Sequence, residues 1–184
     1  MTLERLWAGW RAEYVSTFGE EGAGTAAAVG AGVAPNGSGH GEERCVFCAI
    51  AASTAPDSER YVIWSNETMI CVLNAYPYAS GHVLVMPRRH VRELEELSGE
   101  EAAGLWAAVH DSVAAVKTAY SPDGLNLGLN LGRAAGAGIP AHLHVHVVPR
   151  WIGDTNFMSA TAEVRVLPEA LPVSWQRLRA AWES

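Results

Sequence analysis

An α+β domain built on an antiparallel sheet is what this sequence predicts, and three patterns predict it. Short apolar runs bounded by turn residues recur at 60–64, 69–73, 82–87, 125–131 and 141–151. One segment after Ser98 instead steps its apolar residues by three and four, the period of a helix. The elements then follow as strands, helix, strands, helix, which fits helices packed on an antiparallel sheet. With 184 residues, 49% of them hydrophobic, the chain is long enough for one domain with a substantial core.

The elements follow in order. Leu3 to Val15 carries Trp7, Trp10 and Tyr14, rings that need a surface of the domain or of a partner to cover. This gives an aromatic segment at 1–18. Residues 19–43 change to Gly, Ala, Ser and Pro with hardly a large apolar side chain, the composition of a flexible insert. The domain proper spans 44–184. Cys45 to Ala52 is expected to form a short helix or turn with Phe47 and Ile50 on one side. Arg60–Trp64 and Met69–Leu73, joined by Ser65-Asn-Glu-Thr68, read as a hairpin. A turn-rich loop, Asn74–Gly81, leads to the strand His82–Pro87. Ser98-Gly-Glu-Glu101 has the capping-box pattern, and the stripe Trp106, Val109, Val113, Val116 and Tyr120 makes the helix amphipathic, with that stripe in the core. The helix ends before Ser121-Pro-Asp-Gly124. Leu125–Leu131 alternates like a strand and puts Asn126 and Asn130 on one face. Leu171–Trp182 closes the chain as a helix packing by Trp175, Leu178 and Trp182.

Composition narrows the partners. A net charge of −7 argues against holding a nucleic-acid backbone, and no apolar run reaches the ~20 residues of a membrane span. The N-terminus lacks the apolar core and cleavage site of a secretory signal, so the cytoplasm is the expected compartment. Small anions remain suitable ligands, because Arg88, Arg89, His90 and Arg92 cluster and Arg133 and Arg150 flank the last strand. Three cysteines do not make a disulfide framework in a chain of this size; Cys45 and Cys48, at C-x-x-C spacing, suggest a metal or redox pair.

The chemistry gathers at Ala141-His-Leu-His-Val-His-Val-Val-Pro-Arg-Trp151. Strict alternation puts His142, His144 and His146 on one face of a strand and Leu143, Val145 and Val147 on the other. The three rings can share an anion, divide between a metal and a substrate, or bind one metal together. Cys45, Cys48, His90 and one member of the triplet would make a closed Cys2His2 structural zinc site. The competing redox reading of C-x-x-C lacks its strand-to-helix context. A remaining neutral imidazole is a competent nucleophile toward phosphorus. The glycine-rich turn 132–138, with Gly136 and Gly138, lacks the ending of a P-loop, and its amides suit a phosphate next to the histidines.

His142-x-His-x-His-Val-Val-Pro-Arg150 resembles the histidine triad (HIT) motif. Leu6-Trp-Ala-Gly-Trp-Arg-x-Glu-Tyr14, Cys45-x-Phe-Cys48, Leu73-Asn-x-Tyr-Pro-Tyr78, Gly81-His-x-Leu-Val-x-Pro87, Arg89-His-Val91, Gly128-Leu-Asn-Leu-Gly132 and Arg150-Trp-x-Gly-Asp-Thr-Asn-Phe157 are similar to segments of bacterial HIT proteins of the Fhit-like and diadenosine tetraphosphate phosphorylase-like branch. The resemblance covers nearly the whole chain outside 19–43. It implies the HIT fold, a five-stranded antiparallel sheet with a long helix and a C-terminal helix. It also implies an enzyme that cleaves dinucleoside polyphosphates through a nucleotidyl-histidine intermediate, resolved by phosphate or water. By matching positions His144 is the nucleophile, His146 a phosphate contact and leaving-group helper, and His142 the inner histidine. Cys45, Cys48, His90 and His142 become the ligands of a structural Zn2+. Asn74 falls at the ribose, Phe47, Ile50 and Leu73 around the base, and Asn130 near the phosphates. A homodimer, or a tetramer, is the implied assembly. Gly138 departs from relatives that carry a hydroxyl or amide side chain four residues before the triad. An AMP-conjugate phosphoramidase and a slow-turnover nucleotide-binding regulatory protein are the alternative functions.

Overall fold

The structure, a computed structural model, describes residues 45–135, 139, 141–154 and 169–183. The aromatic segment 1–18, the insert 19–43, Gly136 and Gly138 lie outside these residues. The chain begins with helix α1 (Val46–Ala52) and a single helical turn, α2 (Asp57–Arg60). Strands β1 (Val62–Ser65), β2 (Met69–Leu73) and β3 (Val83–Pro87) follow, then the long helix α3 (Gly99–Tyr120). β4 (Gly124–Leu129), β5 (Val145–Arg150) and helix α4 (Leu171–Trp182) complete the order. Among the described residues the strands form one antiparallel five-stranded sheet in the order β1-β2-β3-β5-β4. No helix among them is long and apolar enough to cross a membrane.

Strand alternation sorts the sheet into two apolar layers. Met69, Cys71, Leu73, Val83, Val85, Val145 and Val147 face the core that α3 and α4 cover. Ile70, Val72, Leu84 and Met86 face the other side, where α1 contributes Phe47 and Ala51. Burial pushes the Cys71 thiol up to about 12, against the hydrogen bond from Ser112, which keeps this third cysteine a packing residue. α3 starts where the capping box places it: Ser98 Oγ accepts from Glu101 N at 3.1 Å, and Ser98 N donates to Glu101 Oε2 at 2.9 Å. α4 closes the β1 side of the sheet. Trp175 Nε1 donates to Val62 O, Arg179 Nη1 donates to Ile63 O, and Trp182 stacks on Trp64.

Three expectations change. Trp106 is not core but 50% exposed, because Leu105, Ala108, Val109, Ser112 and Val116 form the buried stripe of α3. Arg60 does not begin β1. Its guanidinium instead donates to Ile50 O and Ala55 O at the end of α1, and Tyr61 turns the chain through a left-handed φ of 55°. The β5 ladder starts only at Val145, because Leu143 N donates to Val91 O in a loop rather than to a neighbouring strand.

Gly81 sits at φ +82°, and a Cβ there would lie 2.5 Å from the Tyr120 ring. Both the backbone and the ring exclude a side chain. Gly81→Ala is expected to destabilise the domain by about 2 kcal/mol or more, read as a lower urea midpoint; an unchanged midpoint would show that Tyr120 swings aside freely.

Candidate active site

Alternation along residues 142–146 delivers the histidines to the sheet face that carries α1, but the three rings meet different neighbours. His142, 1% exposed, turns to the cysteines: its Nδ1 lies 3.3 Å from Cys45 Sγ and 3.6 Å from Cys48 Sγ. Cys48 Sγ is in turn 3.2 Å from His90 Nδ1. The ligand atoms of Cys45, Cys48, His90 and His142 all lie within 4.8 Å of one another. A tetrahedral zinc, with Zn–S of about 2.3 Å and Zn–N of about 2.0 Å, spaces its ligands roughly 3.3–3.8 Å apart, so this donor set fits the ion. His142 is also prepared for it. Its Nε2–H donates to Pro87 O at 2.9 Å, which leaves Nδ1 without a proton and aims its lone pair at the sulfurs. α1, which carries both cysteines, is held at its C-terminal end by Arg60 on Ile50 O and Arg88 on Ala51 O, each at 2.7 Å.

His144 has the opposite tautomer. Its Nδ1–H donates to the carbonyl of His142 at 2.7 Å, so the lone pair resides on Nε2. Burial lowers its proton affinity, outweighing that hydrogen bond, and the ring is neutral at neutral pH.

The proton on His146 is placed by a residue the sequence reading passed over. His82, fully buried, accepts at Nδ1 from Tyr78 N at 3.0 Å and from the Asn74 carboxamide at 3.2 Å. Its proton is therefore on Nε2, which donates to His146 Nδ1 at 2.9 Å. His146 must then carry its own proton on Nε2. The Asn130 carboxamide nitrogen lies 3.4 Å from that atom, and a half-turn of the amide presents its oxygen as an acceptor. Burial, with some contribution from the neighbouring His144, holds the His146 pKa down to about 4. With ring centroids 4.9 Å apart, His144 and His146 set a lone pair beside a proton.

An apolar wall adjoins them. Val72 and Leu84 pair across strands, and Leu84 pairs with His146, so the three form one row on one face. Phe47 packs edge-on to His142 and tilted against His144 at 5.1 Å, and Ile50 and Ile139 pack on the same cluster. Leu73, expected around the base, is 3% exposed in the core under α3 instead, on the opposite face. Its neighbour Val72 takes the place, as period-two alternation within β2 requires. The Asn74 side chain builds its own loop, Oδ1 accepting from Tyr76 N at 3.0 Å as well as the amide meeting His82. The expected anion-binding arginines are largely engaged: Arg88 on α1, Arg89 on Glu101, and Arg150 on Asp154 and Asn126.

Imidazoles of fixed tautomer, set in a row on one sheet face beside an apolar wall and a Cys2His2 cluster, define a small α+β domain built to handle a small polar ligand. The HIT domain family model matches residues 55–151. The AP-4-A phosphorylase of Mycobacterium tuberculosis (strain ATCC 25618 / H37Rv) is 42% identical over 126 residues, which cover 68% of this chain and 65% of that protein, just under two thirds of its length. A Zn-bound histidine triad family protein from Mycobacterium smegmatis superposes with a TM-score of 0.63 at 33% identity, covering 78% of this chain and 96% of its own. A hypothetical histidine triad nucleotide-binding protein from Sulfolobus tokodaii gives 0.62 at 30% identity, over 76% and 92%. The chain belongs to the HIT domain family.

Two outcomes follow from the site. Purified protein is expected to carry about one zinc per chain, and Cys45→Ser or Cys48→Ser to lose it with a fall in melting temperature; metal analysis that finds none in the wild type overturns the assignment. An exposed histidine takes its proton near 6.5, whereas folded His146 does so only at about 4. Between these values the unfolded chain binds more protons, so stability is full above about pH 6.5 and falls as pH drops toward 4. Thermal melts across that range should show the fall, and His146→Asn should flatten it.

Proposed function

We propose that this protein is an enzyme that cleaves dinucleoside polyphosphates, diadenosine tetraphosphate being the representative substrate, through a nucleotidyl intermediate on His144. The observation that carries the reading is the pair of opposed tautomers: a bare Nε2 on His144 next to a protonated Nε2 on His146. The likeness to a protein named AP-4-A phosphorylase supports the substrate class.

His144 Nε2 attacks the α-phosphorus and forms a P–N bond as the P–O bond to the bridging oxygen breaks. His146 Nε2–H gives its proton to that oxygen, and adenosine triphosphate leaves. Phosphate or water then attacks the P–N bond, His146 takes back a proton, and adenosine diphosphate or monophosphate is released. Asn130 and the backbone amides of the glycine turn are suited to hold the phosphoryl oxygens. The base of the transferred nucleotide is placed against Phe47, Ile50, Val72 and Leu84. The ribose falls to Asn74, through the capacity its carboxamide retains beyond the loop. Zinc at Cys45, Cys48, His90 and His142 would be structural, tying α1 to the histidine row, and takes no part in these steps.

β4 supports assembly as a homodimer. It is the last strand of the sheet, and Leu127 and Leu131 beside it are 50% and 41% exposed, an edge that a second copy would cover.

Incubation with diadenosine tetraphosphate, with and without inorganic phosphate, tests the reading. ATP with ADP, formed only when phosphate is present, identifies a phosphorylase; ATP with AMP identifies a hydrolase. His144→Ala is expected to lose at least about a thousandfold in kcat/KM. Full activity in that variant, or no cleavage by the wild type, removes the covalent-histidine reading in favour of nucleotide binding alone or another AMP conjugate.

A further inference from the structure

The histidine row has an aromatic surface at each end. Phe47 lies against His142 and His144, whereas Tyr78 lies against His146, its ring only 12° from parallel with centroids 5.8 Å apart. Tyr78 also tilts onto His82 at 4.7 Å. Even so it is 46% exposed, and Tyr76, two residues earlier, is 83% exposed. A ring that sets one face on a parallel neighbour and still keeps half its surface in water offers its other face.

The loop that carries these rings is fixed. Tyr76 N donates to Asn74 Oδ1 and Tyr78 N to His82 Nδ1, each at 3.0 Å, while Asn74 N donates to His82 O at 2.9 Å and His82 N to Ala79 O at 3.1 Å. The same imidazole that sets the proton on His146 thus anchors the loop. Large rings held in water by a rigid loop beside a reactive group are the kind of exposed apolar surface that binds something.

We infer that Tyr78, with Tyr76 beside it, is a stacking subsite for the second nucleobase of the substrate, the one that departs with the leaving group. A dinucleoside polyphosphate has a base at each end and phosphates between; the site has an aromatic surface at each end and imidazoles between. This rests on His146 protonating the leaving group, since that places the departing polyphosphate on the Tyr78 side. Stacking reads the flat face every base possesses, so the subsite selects for the presence of a second nucleoside rather than for its identity.

The test compares diadenosine tetraphosphate with adenosine 5′-tetraphosphate, which transfers the same nucleotide but has no base on its leaving group. In Tyr78→Leu the ratio of kcat/KM for the first substrate over the second is expected to fall about tenfold, mainly through KM. Tyr78→Phe should preserve the ratio, and Tyr76→Ala should lower it by a smaller factor. If Tyr78→Leu slows both substrates equally, Tyr78 acts only by holding His146 and the subsite is wrong. A wild type that cleaves both with an unaltered ratio in every variant also overturns it, while leaving the proposed function standing. A wild type that cleaves neither overturns that function and this inference together.

Discussion

Hydrogen bonds that commit one nitrogen of each imidazole are the constraint on which this site depends. A histidine in water exchanges tautomers freely and offers either nitrogen as donor or acceptor. Here Pro87 O takes one proton of His142, the carbonyl of His142 takes that of His144, and His82 fills Nδ1 of His146. Each ring is left with one nitrogen of defined character: a lone pair toward the thiols, a lone pair over the sheet, and a proton next to it. Burial reinforces the assignment, because it disfavours the imidazolium that would erase the difference between the two nitrogens.

The rest of the fold holds these acceptors still. Pro87 ends β3, and the chain around His142 is tied by Leu143 N on Val91 O, so the carbonyls that choose the tautomers belong to the sheet and its adjoining loop. Val85, Val145 and Val147 sit at 0% exposure beneath them, against α3. On the upper side α1 is pinned by two arginines on its terminal carbonyls, and it brings Cys45, Cys48 and Phe47 to the histidines. His82 owes its position to Gly81, whose left-handed backbone lets the loop close against Tyr120. Tyr120 in turn donates to Glu169 at 2.6 Å, and Glu169 accepts from Ser174 of α4, so the far side of the sheet is braced to the same turn.

Much of this was legible in the residues. Alternation of histidine with leucine and valine separated a chemical face from a core face. The capping box placed the start of α3, and C-x-x-C with His90 marked the metal cluster. Where the reading missed, a tertiary effect intervened. Leu73 was assigned by its nearness to Asn74, although alternation from Ile70 and Val72 already put it on the other face. Trp106 fits a helical stripe, but only packing shows which stripe of α3 meets the sheet. His82 looked like the first residue of an apolar strand; nothing local signals that its ring passes a proton to a histidine 64 residues away. The arginine cluster read as free positive charge, and its members are mostly engaged with carbonyls and carboxylates drawn from elsewhere in the chain.

The sequence by itself determined the elements, the face each strand turns inward, and the kinds of groups available, because periodicity and side-chain chemistry are local properties. Only the tertiary structure decided which nitrogen of each histidine bears a proton, which apolar residues adjoin them, and that Tyr78 stands at the far end of the row. Those facts depend on carbonyls, rings and imidazoles brought within a few ångströms by the pairing of distant strands, and a hydrogen bond or a ring contact exists only at that distance.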